Sequence, residues 1–111
     1  MMAARTCVPL RLLRDTETKP LDAKLVDRAV EILKTDPKAV PPILGIFEKT
    51  AAGEVVHVSD GHHRVAAYRV AGLPCAEVIN EASMRRSDRA AYTRAVNKYR
   101  KLIGHAVKRG G

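Results

Sequence analysis

Val55-Val56-His57-Val58-Ser59-Asp60-Gly61-His62-His63-Arg64-Val65-Ala66-Ala67-Tyr68 is the stretch whose reading decides the fold. Val55–Val58 has the β-branched residues of a strand, and a helix is predicted from near His62. A helix start exposes backbone N–H groups and the positive end of the macrodipole, and Gly61 lets an anion approach the chain closely. Arg64 adds a permanently charged fork suited to phosphate oxygens. The same residues also read as an ordinary strand-to-helix turn, in which Asp60 caps the helix and the histidines are solvated.

Outward from this junction the chain alternates short strands and helices. Val8 to Leu13 is predicted as a first strand, and Thr16 to Pro20 as a polar connection. Leu21, Leu25, Ala29 and Ile32 or Leu33 follow helical spacing, and Asp36-Pro37 stops that helix. Ile43–Phe47 suits a buried strand, and Thr50–Glu54 a hairpin connection into Val55–Val58. Gly72, in the position after the cap, and Pro74 close the helix begun at His62, and Cys75–Ile79 is a last strand. The expected fold class is α+β: a small mixed sheet flanked by helices, followed by a basic amphipathic helix.

The 111 residues make one domain, with its core over 8–79 and a C-terminal helix over about 85–107. Residues 1–84 carry eleven Lys or Arg against eleven Asp or Glu, whereas 85–111 carry nine basic residues against Asp88 alone. The net charge of +8 therefore belongs to the C-terminal element. There Tyr92, Val96, Tyr99 and Ile103 form an apolar stripe, with Ser87 as the expected N-cap. Arg94, Lys98, Lys101, His105 and Lys108 fall on roughly the opposite face. Such a stripe fits DNA or RNA phosphates through counterion release, and it equally fits a solvated helix face. The apolar stripe suits packing on its own sheet or on a second copy, which leaves a homodimer open.

Composition narrows the function classes. Phe47, Tyr68, Tyr92 and Tyr99 are the whole aromatic set, which disfavours a base-stacking platform. No apolar run approaches membrane-spanning length, and the reading places the chain in the cytoplasm. Cys7 and Cys75 form no Cys-x-x-Cys pair, so the expectation is two small buried thiols and no zinc knuckle or disulfide scaffold. His57 lies on the strand face opposite Val56 and Val58 and reads as surface or structural; Tyr68 reads as core.

Val58 to Tyr68, with Ala71-Gly72-Leu73-Pro74 downstream, resembles the signature of the ParB/sulfiredoxin superfamily over about Val8 to Ile79. The Asp-Gly-His-His-Arg form is most similar to ParB-like free-serine kinases and related small ParB-like domains. The resemblance implies a nucleoside triphosphate held by Gly61, His62, His63 and Arg64, with His63 matching the family's His-Arg pair. Asp60 would hold Mg²⁺ or serve the turn. A carboxylate near the end of the first strand, Glu17 or Asp15, would act as base in a kinase. Where sulfiredoxins have a reactive cysteine this chain has His62, which argues against sulfinic acid repair. Where partitioning ParB proteins have a Gly-Glu-Arg-Arg type of segment and a following helix-turn-helix, this chain has His62-His63 and one cationic helix.

The functional expectation is a ParB-like nucleotide-binding domain that hydrolyses nucleoside triphosphates and contacts DNA through Arg94, Lys98, Lys101 and Lys108. Asp60, His63 and Glu17 are its expected catalytic residues. A nuclease would need further carboxylates such as Glu17 and Glu48. The alternatives are a small-molecule kinase acting on a serine-type hydroxyl, and a binding module without chemistry.

Overall fold

The computed structural model describes residues 4–15 and 20–104. Five strands form one mixed sheet: β1 (Thr6–Pro9), β2 (Leu13–Arg14), β3 (Ile43–Thr50), β4 (Gly53–Asp60) and β5 (Cys75–Asn80). Three helices accompany them, α1 (Ala23–Thr35), α2 (His62–Val70) and α3 (Arg86–Leu102). The strand order is β1-β5-β3-β4-β2. β1 is antiparallel to β5, β5 parallel to β3, β3 antiparallel to β4, and β2 parallel to β4. The α+β expectation stands, and α3 follows the last strand as the charge division required.

The predicted first strand, Val8 to Leu13, is two strands. After Pro9 a 3-10 turn over Leu10–Leu12 carries the chain from one edge of the sheet to the other. Proline has no N–H to continue a ladder, so the break falls where the backbone chemistry requires it.

The core follows from alternation along the strands, because neighbouring residues point to opposite faces. Ile43, Val56, Val58, Ala76 and Val78 pack with Leu25, Ala29 and Leu33 of α1 and Val65, Ala67 and Tyr68 of α2. Their neighbours Leu44 and Ile79 pack instead with Tyr92 and Val96 of α3. Tyr99 and Ile103, farther along α3, join the first cluster. The last helix therefore wraps the end of the sheet and belongs to the core, which extends beyond the 8–79 expected. Its stripe is buried within its own chain and offers no apolar face to a second copy.

Helix ends also refine the reading. Gly72 sits at φ +71, its N–H bonding the Arg69 carbonyl while the Leu73 N–H bonds that of Tyr68. This Schellman closure is the C-terminal stop that the glycine signalled. At the start of α3 the expected Ser87 cap is corrected: Arg85 is the N-cap, and its backbone N–H donates to Asp88 Oδ2 at 2.9 Å. A carboxylate at the third helical position reaches back to an orphan donor, which a serine inside the helix cannot do.

The cysteines are likewise corrected. Cys7 and Cys75 are joined in a disulfide, with a Cα–Cα distance of 5.4 Å. They lie diagonally across the β1–β5 ladder, where Cys7 faces Glu77 and Cys75 faces Pro9. Cys7 is exposed, so neither residue is a buried thiol. Linear spacing gave no sign of this, because the pairing depends on an edge strand returning to the last strand.

Candidate functional site

The end of β4 and the start of α2 are shaped by a register shift. Leu44 faces Asp60 while Gly45 faces Val58, which leaves Ser59 as an extra residue on β4. Bulges of this kind re-aim the side chains beside them. Gly61 then takes φ +107 as the N-cap of α2. A side chain there would be strained by the backbone and would meet the Arg64 guanidinium and Ile43 at 3.1 Å.

Asp60, Gly61, His62, His63 and Arg64 line one wall of a cleft of about 240 Å³. Leu25 of α1 and Val96, Tyr99, Arg100 and Ile103, from α3 and the residue after it, line the rest. The structure thus brings together the five motif residues singled out in the sequence and sets them against a helix whose charge was read separately.

Arg64 does not present its fork to the cleft. Its side chain is 5% exposed, and Nη1 donates to the carbonyls of Pro41 (3.0 Å) and Pro42 (2.8 Å). Nη2 donates to the Tyr92 hydroxyl at 2.8 Å and Asp60 Oδ2 at 3.4 Å. The rings of Tyr92 and Tyr99 lie 5.7 and 5.8 Å from the guanidinium carbon, within cation–π range. All four terminal N–H donors are engaged, which corrects the expectation of a guanidinium held ready for phosphate. The physical reason is that a buried charge must be bonded on every side.

Asp60 is oriented by the same network. Tyr92 donates to Oδ2 at 2.7 Å, while half of the side chain stays open to solvent. Burial pushes the pKa of the Tyr92 phenol up, so its hydroxyl keeps the proton it donates. Burial likewise pushes Tyr99 up to about 12 and raises Tyr68. The Tyr99 hydroxyl is buried and has no partner among the described residues.

His63 Nε2 accepts from the backbone N–H of Asp22, the N-cap of α1, at 3.0 Å. A ring nitrogen that accepts carries no proton, so the imidazole is neutral with its proton on Nδ1. His63 therefore ties α2 to α1, and Nε2 is not the phosphate donor expected of it. His62 lines the cleft, half-buried.

The remaining carboxylates stand elsewhere. Asp15 pairs with Arg69 at 3.2 Å on the last turn of α2, and Glu48 bonds His57 at 2.7 Å on the β3–β4 hairpin. Glu17, His105 and Lys108 lie outside the described residues. Arg94, Lys98 and Lys101 are exposed on α3 and have no bonded partner among the described residues.

Sequence reading missed four contributors. Arg100 lines the cleft, is exposed and has no bonded partner among the described residues. Its place at the border of the apolar stripe, next to Tyr99 and four residues after Val96, was the available signal. Tyr92 and Tyr99 read from the sequence as part of an apolar stripe that suits its own sheet or a second copy, and nothing in their spacing marks them as the walls of a cation site. Arg28 of α1 donates to the Ile103 carbonyl at 2.8 Å, which holds the end of α3 over the cleft.

Two solved structures share this architecture. Sulfiredoxin from Arabidopsis thaliana matches with a TM-score of 0.57 and 20% identity, over 70% of this chain and 84% of that one. The C-terminally truncated chromosome-partitioning protein ParB from Caulobacter crescentus, complexed with CTP-gamma-S, matches with a TM-score of 0.55 and 16% identity. That match covers 96% of this chain and 54% of the ParB chain, so this chain spans about half its length. No protein-family model and no curated protein matches the sequence. The fold is ParB/sulfiredoxin-like. Among the described residues no helix is long and apolar enough to cross a membrane.

Proposed function

We propose that this chain is a ParB-like nucleotide-binding domain that holds the ligand's phosphates in the cleft between α2 and α3. The observation that carries the reading is the meeting, in one cleft, of a glycine-led helix start with the guanidinium of Arg100, which has no bonded partner among the described residues. The first amides of α2 have no partner within the helix and lie at the positive end of its dipole. The likeness to a ParB solved in complex with CTP-gamma-S supports nucleotide binding by this fold.

Mg²⁺ fits this site through one carboxylate. Asp60 lines the cleft and commits Oδ2 to Tyr92 and Arg64, while Oδ1 has no hydrogen bond among the described residues. Mg²⁺ takes one or two carboxylates with phosphate oxygens and water, and it would supply charge neutralisation at the phosphates. Among the described residues no group of three or more His, Cys, Asp or Glu stands close enough to share a metal, so the proposal ends at binding. The nuclease and kinase readings gain no further carboxylate from Asp15 or Glu48.

A second reading concerns the outer face of α3. Arg94, Lys98 and Lys101 are exposed, with no bonded partner among the described residues, which favours contact with nucleic-acid phosphates.

Isothermal titration with CTP, ATP and pyrophosphate, with and without Mg²⁺, tests the cleft. Saturable binding to one site is expected, tighter with Mg²⁺ for the triphosphates. Absence of heat for every phosphate at millimolar concentration would overturn the reading.

A further inference from the structure

We infer that the cleft recognises a phosphorylated sugar and leaves the base unread, so its ligand class is the sugar phosphomonoester, free or at the end of a nucleic-acid strand. The inference rests on the phosphate reading above and narrows it. Volume is the first observation: about 240 Å³ lies below the roughly 300 Å³ at which pockets for whole drug-sized ligands begin. A phosphate and a sugar fill such a space, and a base would stand outside it.

The lining is the second observation. Its one Phe, Tyr or Trp, Tyr99, is 4% exposed, and its ring lies 5.8 Å from the Arg64 guanidinium carbon, so that ring is not open for stacking. Two of the groups that could read a base edge are already directed elsewhere. The terminal donors of Arg64 are consumed by Pro41, Pro42, Tyr92 and Asp60, and His63 Nε2 is bonded to the Asp22 N–H. Leu25, Val96 and Ile103 supply apolar wall without directional contacts.

Charge is the third. Arg100 is the cleft cation whose donors are uncommitted among the described residues, and a guanidinium matches the paired oxygens of a phosphomonoester. Tyr99 also lines the cleft, and its hydroxyl is buried with no partner among the described residues. Lys101 and Arg94 are exposed on the same helix.

Titration of the full chain with inorganic phosphate, ribose 5-phosphate, the four ribonucleoside 5′-monophosphates, CTP and ATP tests the inference. Ribose 5-phosphate and the four monophosphates should bind within about threefold of one another, and Arg100→Gln should weaken all of them about tenfold. A preference of more than about tenfold for one base, or an Arg100→Gln chain with unchanged affinities, overturns it while the phosphate reading stands. Failure of every phosphate, the inorganic ion included, instead sinks the phosphate reading itself. Oligonucleotides with a 5′-phosphate or a 5′-hydroxyl, compared on a chain with Arg94, Lys98 and Lys101 changed to Gln, separate the two sources. Tighter binding of the phosphorylated strand than of ribose 5-phosphate assigns the strand end, and equal binding assigns the free sugar phosphate.

Discussion

The two faces of α3 handle positive charge in opposite ways. Inward, Tyr92 and Tyr99 close around the guanidinium of Arg64, whose side chain is 5% exposed and bonded through all four terminal donors. Outward, Arg94, Lys98 and Lys101 stand in solvent, and Arg100 borders the cleft with no bonded partner among the described residues. The inner cation organises the protein, and the outer cations are available to a ligand. Solvation decides which role a positive side chain takes: a buried charge is tolerated only when its donors are satisfied, whereas an exposed one is already satisfied by water.

The largest consequence falls on the inner face. Arg64→Ala should cost about 3 to 5 kcal/mol of folding stability, because it leaves two buried carbonyls and a phenol without their partner. Chemical denaturation reads this directly, and a stability like that of the parent chain would erase the contrast. The same variant is a poor probe of ligand binding, since loss of fold and loss of site coincide. Next in size is Tyr92→Phe, expected to cost about 1 to 2 kcal/mol through its bonds to Arg64 and Asp60.

Alkaline pH sharpens the same face. Burial pushes the pKa values of Tyr68, Tyr92 and Tyr99 above the ordinary 10.0, to about 12 for Tyr99, so the folded state prefers the neutral phenols. Their contribution is complete below the unfolded value of 10.0 and is lost as pH rises through the folded values. Tm should therefore fall above pH 10, and a flat profile there would contradict the burial of these hydroxyls.

Smaller effects complete the comparison. Tyr99→Phe removes a hydroxyl that has no partner, so stability should stay within about 0.5 kcal/mol or rise slightly. A cost equal to that of Tyr92→Phe would mean that the two rings are not distinguished by their bonds. Changing Arg94, Lys98 and Lys101 together to Gln should leave Tm nearly unaltered. The salt dependence of DNA affinity should become shallower by about two to three units of slope. An unaltered slope would remove nucleic acid from the outer face.

Much of the fold was legible because its signals are local. Gly72-Leu73-Pro74 stops α2 as glycine and proline dictate, and the Tyr92, Val96, Tyr99, Ile103 spacing is buried along its whole length. The strand-to-helix turn at Gly61 follows from the same local chemistry, its φ of +107 being one that glycine adopts without strain. The candidate site was legible only in its location. Which of Arg64 and Arg100 faces a ligand depends on Pro41, Pro42 and Tyr92, which lie 22 to 28 residues from Arg64 in the chain.

By itself the sequence determined the α+β order, the glycine-led entrance to α2 and the segregation of charge into α3, since each arises from neighbours within a turn or a strand. Tertiary structure alone decided that α3 completes the core, that Cys7 meets Cys75 and that Arg64 turns inward beneath two tyrosines. These outcomes depend on which distant surfaces exclude water from one another, and no periodicity or spacing along the chain records that.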